Sequence, residues 1–205
     1  MARPRSKQYP DNQNLILDRA AELFARLGFH RASIAELARE CNYSKGSLYH
    51  YYSSKEAILF ALLNQHLLEL AELADEAISR SNNPVEQFRD FVAENMQLYV
   101  RKVHHHIVLN RDIRYLPDDL REKIRIQERG LLSRLTALLK NIRPEIQDSP
   151  GSEKIYAMMF YGMLNWSYTW YDPQGPVGAA QFAEMATDLY LNGLSHVSIP
   201  KSLNP

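Results

Sequence analysis

Thirteen residues, Ser44–Glu56, concentrate the side chains of this sequence that are best suited to binding a polyanion. The stretch contains serines, two lysines, three tyrosines and a histidine. Lysine, serine and tyrosine side chains bind phosphate oxygens, and short side chains near the start of a helix reach base edges. This combination therefore indicates contact with DNA.

Short helices must position this stretch. Apolar residues recur with helical spacing over 16–27, which predicts a first helix. Gly28 follows directly, at the position after a helix end where a left-handed backbone conformation favours glycine. Ser33 and Glu36 form the sequence pattern of a capping box, which predicts the start of a second helix.

The third helix is predicted to start after a tight turn. Asn42 suits the turn because asparagine tolerates a positive φ, and Ser44 is the expected N-cap. Ser53 and Glu56 repeat the capping-box pattern and predict the start of a long fourth helix. Two short helices joined by such a turn are typical of a helix-turn-helix.

Residues 13–60 resemble the N-terminal domain of the tetracycline-repressor (TetR) family of bacterial transcription regulators. The similarity lies in Ala20–Phe24, Gly28–Phe29, Ser33–Ala38, Ser44–Tyr52 and Ser54–Glu56. The departures are small: Cys41–Tyr43 stands where the family usually has Ala-Gly-Val, and Tyr52 where it usually has Phe.

The resemblance implies a role for each matching position. Lys45, Gly46 and Tyr49 correspond to positions that reach bases, and a glycine lets the helix approach the groove floor closely. The positions that correspond to phosphate contacts are Ser33, Ser44, Ser47, His50, Tyr51 and Lys55. For the tyrosines at 43, 51 and 52, closing the small helical core is the alternative.

The charge distribution agrees with this interpretation. The net charge of the 205 residues is +0, but residues 1–56 contain nine Lys or Arg against six Asp or Glu. Positive charge is therefore concentrated where DNA is expected. We predict two domains, an arm with a helix-turn-helix over 1–56 and a larger helical domain over 57–205.

The larger domain is predicted to be all-α, which gives about nine helices for the whole chain. Helical periodicity and breaks at proline and glycine predict helices over about 56–79, 84–103, 105–115, 118–142, 152–171 and 178–194. The region 143–151 is predicted to be a loop, and 196–205 a frayed tail.

The predicted eighth helix is apolar on two faces, which requires burial on more than one side. The family resemblance implies that one face joins the ninth helix in a four-helix homodimer interface. The expected interface residues are Met159, Met163, Trp166, Trp170, Phe182, Met185 and Leu189. The alternative is that both faces serve the core of a single protomer.

The other face could line an effector cavity. Methionine and aromatic side chains suit an apolar ligand, and arginines suit a carboxylate or phosphate. The expected ligand-binding residues are Met96, Tyr99, Arg111, Arg114, Phe160, Leu164 and Tyr168. The segment Asn165–Pro173 is similar to members of the family that respond to acyl-CoA thioesters and control lipid degradation.

Several functional classes find no support in the sequence. Consecutive His104–His106 point about 100° apart on a helix and cannot chelate one ion together. We find no phosphate loop and no nucleophile motif, so neither an enzyme nor a cofactor is predicted. One cysteine, no secretory signal and no long apolar run predict a cytoplasmic protein.

The leading hypothesis is a homodimeric, ligand-responsive repressor that binds a pseudo-palindromic DNA operator. A hydrophobic or amphiphilic anionic effector, with acyl-CoA as one candidate, would change the distance between the two DNA-binding heads. Four alternatives stay open: an activator, a regulator without effector, an acyl-CoA-metabolising enzyme with an incidental helix-turn-helix, and a nucleoid-type structural protein.

Overall fold

The computed structural model describes residues 9–148 and 151–197, and these contain nine α-helices and no strand. The all-α prediction is therefore confirmed. The helices are α1 Tyr9–Leu27, α2 Ile34–Glu40, α3 Lys45–Tyr51, α4 Lys55–Ser79, α5 Pro84–Arg101, α6 Val103–Asp112, α7 Asp118–Ile142, α8 Ser152–Asn165 and α9 Ala179–His196. Residues 1–8 of the predicted N-terminal arm and most of the predicted tail lie outside the described residues.

Local sequence signals set the end of α1 and the starts of α2 and α3 as predicted, whereas α1 begins at Tyr9, before the periodic stretch that starts at Ile16. Gly28 follows α1 at φ 82°, and Asn42 lies in the turn before α3 at φ 56°. The Ser33 hydroxyl accepts from the Glu36 N–H, and the Glu36 carboxylate accepts from the Ser33 N–H, which completes the capping box of α2. Ser44 caps α3.

The start of α4 differs from the prediction by one residue. The Ser54 hydroxyl accepts from the Ala57 N–H at 3.0 Å, so Ser54 rather than Ser53 is the N-cap. Glu56 consequently lies within the first turn and does not complete a capping box. The shift places Lys55 at the first helical position, where its side chain reaches the loop between α1 and α2.

Short 3-10 turns replace part of the predicted loops and helix ends. Residues Pro144–Asp148 form a 3-10 turn inside the predicted loop. The predicted sixth helix divides into α6 and a 3-10 turn, Ile113–Tyr115. Only Lys102 separates α5 from α6, because its backbone at φ −116° and ψ 43° leaves the helical region.

The eighth helix is shorter than predicted. It ends at Asn165 and continues as a 3-10 turn, Trp166–Thr169, so Trp170 is not on its face. Two contacts tighten the chain here. The Thr169 hydroxyl donates to the Trp166 carbonyl, and the Trp170 N–H donates to the Ser167 carbonyl.

The described residues divide into two compact units. We call 9–66 with 104–125 the first unit, and 67–103 with 126–148 and 151–197 the second unit. The first unit therefore takes in α6 in addition to the helix-turn-helix. The boundary at residue 56 between the predicted DNA-binding and effector-binding domains stays a prediction.

The first unit has its own core, which buries Ile16, Leu23, Phe24, Leu37 and Leu48 almost completely. In the second unit, α5 packs along α9, and Phe88, Phe91 and Phe160 are fully buried. Each unit thus encloses apolar side chains of the type that stabilises a folded domain.

Helix α4 is long and apolar enough, by length and composition, to cross a bilayer, although the sequence predicted no such segment. Within the structure, 44% of its most apolar window is buried. The core helix of a globular protein meets the same criteria, so α4 is weak support for a membrane span.

Candidate nucleic-acid interface

The polar face of α3 is exposed, and its apolar side anchors it to the first unit. Leu48 is 1% exposed, whereas Tyr49 is 53% exposed. Lys45 and His50 are also exposed. The seven-residue helix therefore presents three side chains that can donate hydrogen bonds, and it is held by one buried leucine.

Gly46 lies at the exposed start of α3. A Cβ atom at this position would lie 3.7 Å from the Ser44 hydroxyl, which is ordinary van der Waals contact. Glycine inside a helix costs about 1 kcal/mol relative to alanine. Because the fold does not require this glycine, its absent side chain is free to serve close approach by a partner.

The predicted phosphate-binding serines are engaged in capping. Ser44 accepts from the Ser47 N–H at 3.0 Å, and the two hydroxyl oxygens are 2.8 Å apart. The Ser33 hydroxyl donates to the Glu36 carboxylate at 2.7 Å. This bond and the one from the Ser33 backbone lower the pKa of Glu36. The serines therefore order both helix starts, and their predicted contact with phosphate stays a prediction.

Tyr51 is half-buried and held by two neighbours. The Asn12 amide donates to its hydroxyl at 3.0 Å, and its ring stacks on Tyr43 with centroids 6.1 Å apart. These contacts agree with the packing role that the sequence left open for Tyr51, and its phosphate contact stays a prediction. Asn12 was not predicted from the sequence, because the hydrogen bond spans 39 residues and no local pattern marks it.

Lys55 has a different environment from the one that the resemblance implied. Its ammonium group donates to the carbonyls of Phe29 at 2.8 Å, Ala32 at 2.9 Å and His30 at 3.5 Å. It also lies 4.3 Å from the centroid of the Phe29 ring. An ammonium group has three N–H donors. A phosphate contact would therefore require Lys55 to release one of these carbonyls.

Cys41 behaves as a small apolar residue at the end of α2. Its side chain is buried, and burial raises the pKa of the thiol to about 11. The thiol therefore stays protonated at neutral pH, which makes it a poor nucleophile.

The histidines of α6 divide by exposure. His105 and His106 are buried and His104 is exposed. The rings of both buried histidines lie about 6 Å from that of His66, and His105 Nε2 is 3.3 Å from an Asp18 carboxylate oxygen. Across the described residues, no group of three histidine, cysteine or acidic side chains could hold a metal ion.

The predicted ligand-binding residues fall in both units. Met96, Tyr99, Phe160 and Leu164 belong to the core of the second unit, where the Tyr99 hydroxyl donates to Asn165 Oδ1 at 2.8 Å. Burial raises the pKa of Tyr99 well above its usual value. Tyr168 is half-buried in the same unit.

The two predicted arginines lie in the first unit instead. The Arg111 guanidinium donates to the carbonyls of Phe24 and Ala25 and to the Asp112 carboxylate. Arg114 is exposed and lies over the ring of Tyr115. Arg111 thus ties α6 to the end of α1.

Most of the predicted dimer-interface residues form an exposed apolar surface of the second unit. Met163 and Phe182 are half-buried, and the others are 57–70% exposed. Two further exposed residues of α8, Ile155 and Met158, were not predicted for the interface. Ile155 lies three residues before Met158 and four before Met159, and this helical spacing is a usable signal. We call this surface the apolar band: Ile155, Met158, Met159, Met163, Trp166, Trp170, Phe182, Met185 and Leu189.

Helices α8 and α9 are joined beside the apolar band. The Tyr190 hydroxyl donates to the Tyr156 carbonyl at 2.8 Å, and the rings of Trp170 and Phe182 are 5.7 Å apart. The exposed side chains of both helices therefore belong to one region of the second unit.

Comparison with known proteins identifies the family. Residues 16–62 match the family described as bacterial regulatory proteins, tetR family, and residues 81–194 match the tetracyclin repressor-like C-terminal domain. A TetR-family transcriptional regulator from Bordetella parapertussis 12822 is 34% identical, with a TM-score of 0.85 over 91% of this chain and 97% of that chain.

Two further relatives are informative. The structure of AibR in complex with isovaleryl coenzyme A and operator DNA is 26% identical, with a TM-score of 0.77 over 87% of this chain and 97% of that one. A fatty acid metabolism regulator protein from Bacillus subtilis is 26% identical over 60% of this chain. The match spans 64% of that relative, so the chain covers slightly less than two thirds of it.

Both parts of the chain thus match domains of one family, and the fold agrees over nearly the whole length of a solved member. The chain belongs to the TetR family of DNA-binding transcriptional regulators.

Proposed function

We propose that this protein is a ligand-responsive homodimeric repressor that inserts α3 of each protomer into the two half-sites of a pseudo-palindromic operator. The observation that carries the proposal is that one chain combines an exposed polar recognition helix with a large exposed apolar band. The first feature suits DNA, and the second suits a copy of the same chain.

The proposed DNA contacts follow from the exposed face of α3. Lys45 and Tyr49 extend from it and reach bases, while Gly46 lets the backbone approach the groove. Ser44 and Ser47 at the start of α3, His50 in its last turn and Ser33 at the start of α2 contact phosphates. A seven-residue helix reads few base pairs, so two copies are needed for a specific site.

The proposed dimer forms through the apolar band. Soluble proteins rarely leave contiguous apolar patches of this kind uncovered. A second copy is the occupant that we favour, because a twofold axis brings the same self-complementary surface from both protomers together. Two helices from each protomer then make a four-helix interface.

The proposed effector is a hydrophobic or amphiphilic anion, with acyl-CoA as the leading candidate. The supporting observations are the methionine and aromatic side chains of the second unit and the two relatives named for isovaleryl coenzyme A binding and for fatty acid metabolism. A hundredfold release from DNA requires about 2.7 kcal/mol of coupling between the two sites.

The same proposal assigns the protein to the cytoplasm, where operator DNA is accessible, and gives it no catalytic activity. Regulation of this kind needs differential binding of the effector to two states of the dimer and needs no bond to be made or broken.

Competition gel-shift measurements on the operator test the proposal. Tyr49→Ala and Lys45→Ala remove exposed side chains of α3, so both variants are expected to lose specific binding and to keep the unfolding temperature of the wild type. Lys123→Ala is the matched control, because Lys123 is an exposed lysine of α7. Equal competition by an unrelated duplex would overturn the proposal and support a structural DNA-binding protein.

A further inference from the structure

A basic cleft of about 280 Å³ lies within the first unit, between the α1–α2 loop and the 3-10 turn that follows α6. Its walls include four arginines, a histidine and a tyrosine: Arg26, Arg31, Arg111, Arg114, His30 and Tyr115. We infer that this cleft is an anion site that binds a phosphate group, a role distinct from those of α3 and the apolar band.

Arg111 forms the fixed wall of the cleft. Its guanidinium donates to the carbonyls of Phe24 and Ala25 at the end of α1 and to the buried carboxylate of Asp112. The Phe24 carbonyl also accepts from the Gly28 N–H at 2.8 Å, so Arg111 adds a charged donor to the carbonyl end of α1. These bonds fix the start of the 3-10 turn against the end of α1, and with it the positions of Arg114 and Tyr115.

Charge in the cleft is not balanced by the protein. Arg26 pairs with Glu40 at 2.5 Å and Arg111 with Asp112 at 3.1 Å. Across the described residues, no carboxylate lies within ion-pair distance of Arg31 or Arg114. Four guanidinium groups therefore face two carboxylates, and the carbonyl end of α1 contributes about half a negative charge more. The remaining excess is positive.

The two uncompensated arginines keep N–H donors available. Arg31 uses its Nε to donate to the Leu27 carbonyl at 3.0 Å, so its two terminal nitrogens are not used in that bond. Arg114 donates through one terminal nitrogen to the Tyr115 hydroxyl at 3.3 Å, with its guanidinium 5.1 Å from the ring centroid. The stacking restricts the side chain and lowers the entropy lost when it binds a ligand.

Phosphate is the anion that fits this arrangement. Guanidinium groups bind phosphate oxygens with two parallel hydrogen bonds, and several of them can share one phosphate. The exposed ring of His30 stacks near Tyr115, with centroids 6.2 Å apart, and adds another donor to the rim. The phosphate could belong to a small phosphorylated molecule or to the DNA backbone.

Inorganic phosphate is the probe, and the full-length protein is titrated with it by calorimetry at constant ionic strength set with chloride. We expect saturable binding that weakens about tenfold or more in Arg31→Gln and in Arg114→Gln, which corresponds to about 1.4 kcal/mol. Arg114→Lys is expected to recover only part of the affinity, because lysine keeps the charge and loses the planar fork.

Arg39→Gln is the matched control, because Arg39 is an exposed arginine of α2 that does not line the cleft. It is expected to bind phosphate like the wild type. Circular dichroism and the unfolding temperature of each variant show that it is folded. Absence of saturable binding in the wild type, or equal affinity in folded Arg31→Gln, Arg114→Gln and Arg39→Gln, would overturn the inference.

Operator titrations then distinguish the two sources of phosphate. If the cleft holds the DNA backbone, each substitution reduces the slope of log K against log salt by about one, and inorganic phosphate competes with the operator. If it holds a small phosphorylated molecule, both substitutions leave operator affinity unchanged when phosphate is absent. The inference does not depend on the proposed repressor function, because phosphate binding is measured without DNA.

Discussion

The two units present opposite kinds of surface for their contacts. In the first unit, exposed polar side chains stand on short helices whose starts are fixed by capping hydrogen bonds. In the second unit, the exposed residues of α8 and α9 are large and apolar. Polar surfaces suit a charged, hydrated partner such as DNA, whereas an apolar surface gains free energy only when it is covered.

This difference explains why the sequence predicts the polar surface more directly than the apolar one. An exposed lysine or tyrosine on a short helix differs in type from a core residue, so the sequence alone suggests its role. Met159 and Phe160 are adjacent and both apolar, yet the first is 62% exposed and the second is fully buried. Their residue types do not distinguish an interface from a core.

The largest expected effect comes from placing a charge in the apolar band. Leu189→Asp is expected to make the protein monomeric and to weaken operator binding about a hundredfold or more, because symmetry places the substitution in the interface twice. Sedimentation velocity and gel shifts provide the measurements. Ile126→Asp is the control, because Ile126 is exposed on α7 outside the band. A dimeric Leu189→Asp protein would show that the band has another occupant.

A smaller effect is expected at Lys55. Lys55→Met leaves three loop carbonyls without their donor, which is expected to reduce the free energy of unfolding by about 1–3 kcal/mol. Chemical denaturation measures the loss, with Lys123→Met as the control. If Lys55→Met kept wild-type stability and lost only operator affinity, the phosphate contact implied by the family resemblance would be the correct role.

The start of α4 provides a matched pair of variants. Ser54→Ala removes the observed cap and is expected to cost about 1 kcal/mol, whereas Ser53→Ala is expected to cost almost nothing. Thermal unfolding of the two variants checks this difference. The opposite order of stabilities would support the capping box predicted from the sequence.

The smallest effect concerns an ion pair of the second unit. Two hydrogen bonds from Arg134, at 2.6 and 2.7 Å, lower the pKa of Asp75. The stabilisation is therefore complete above the unfolded-state pKa of about 3.9 and is lost as the pH falls through the lower folded-state value. Because the pair is partly exposed, we expect at most about 1 kcal/mol.

Unfolding measurements on Asp75→Asn and the wild type, from neutral pH to about pH 3, check this sign. The difference in stability should narrow as the solution becomes acidic. A difference that grew toward low pH would contradict the assignment.

The sequence by itself determined the all-α architecture and most helix boundaries. Gly28, Ser33, Asn42 and Ser44 act within a few residues of their own position, so local patterns are sufficient to place them. Local patterns of the same kind predicted the position of α3 and the polar side chains that it carries.

Only the tertiary structure decided which side chains are already engaged and which apolar face is uncovered. Lys55 bonds to carbonyls 23 to 26 residues away, and Arg111 to carbonyls 86 and 87 residues away. Such contacts depend on how distant segments pack, and no periodic pattern encodes them. Arg111 and Arg114 were predicted to bind a ligand, but the basic cleft was not predicted, because its four arginines come together only when α1 and α6 meet.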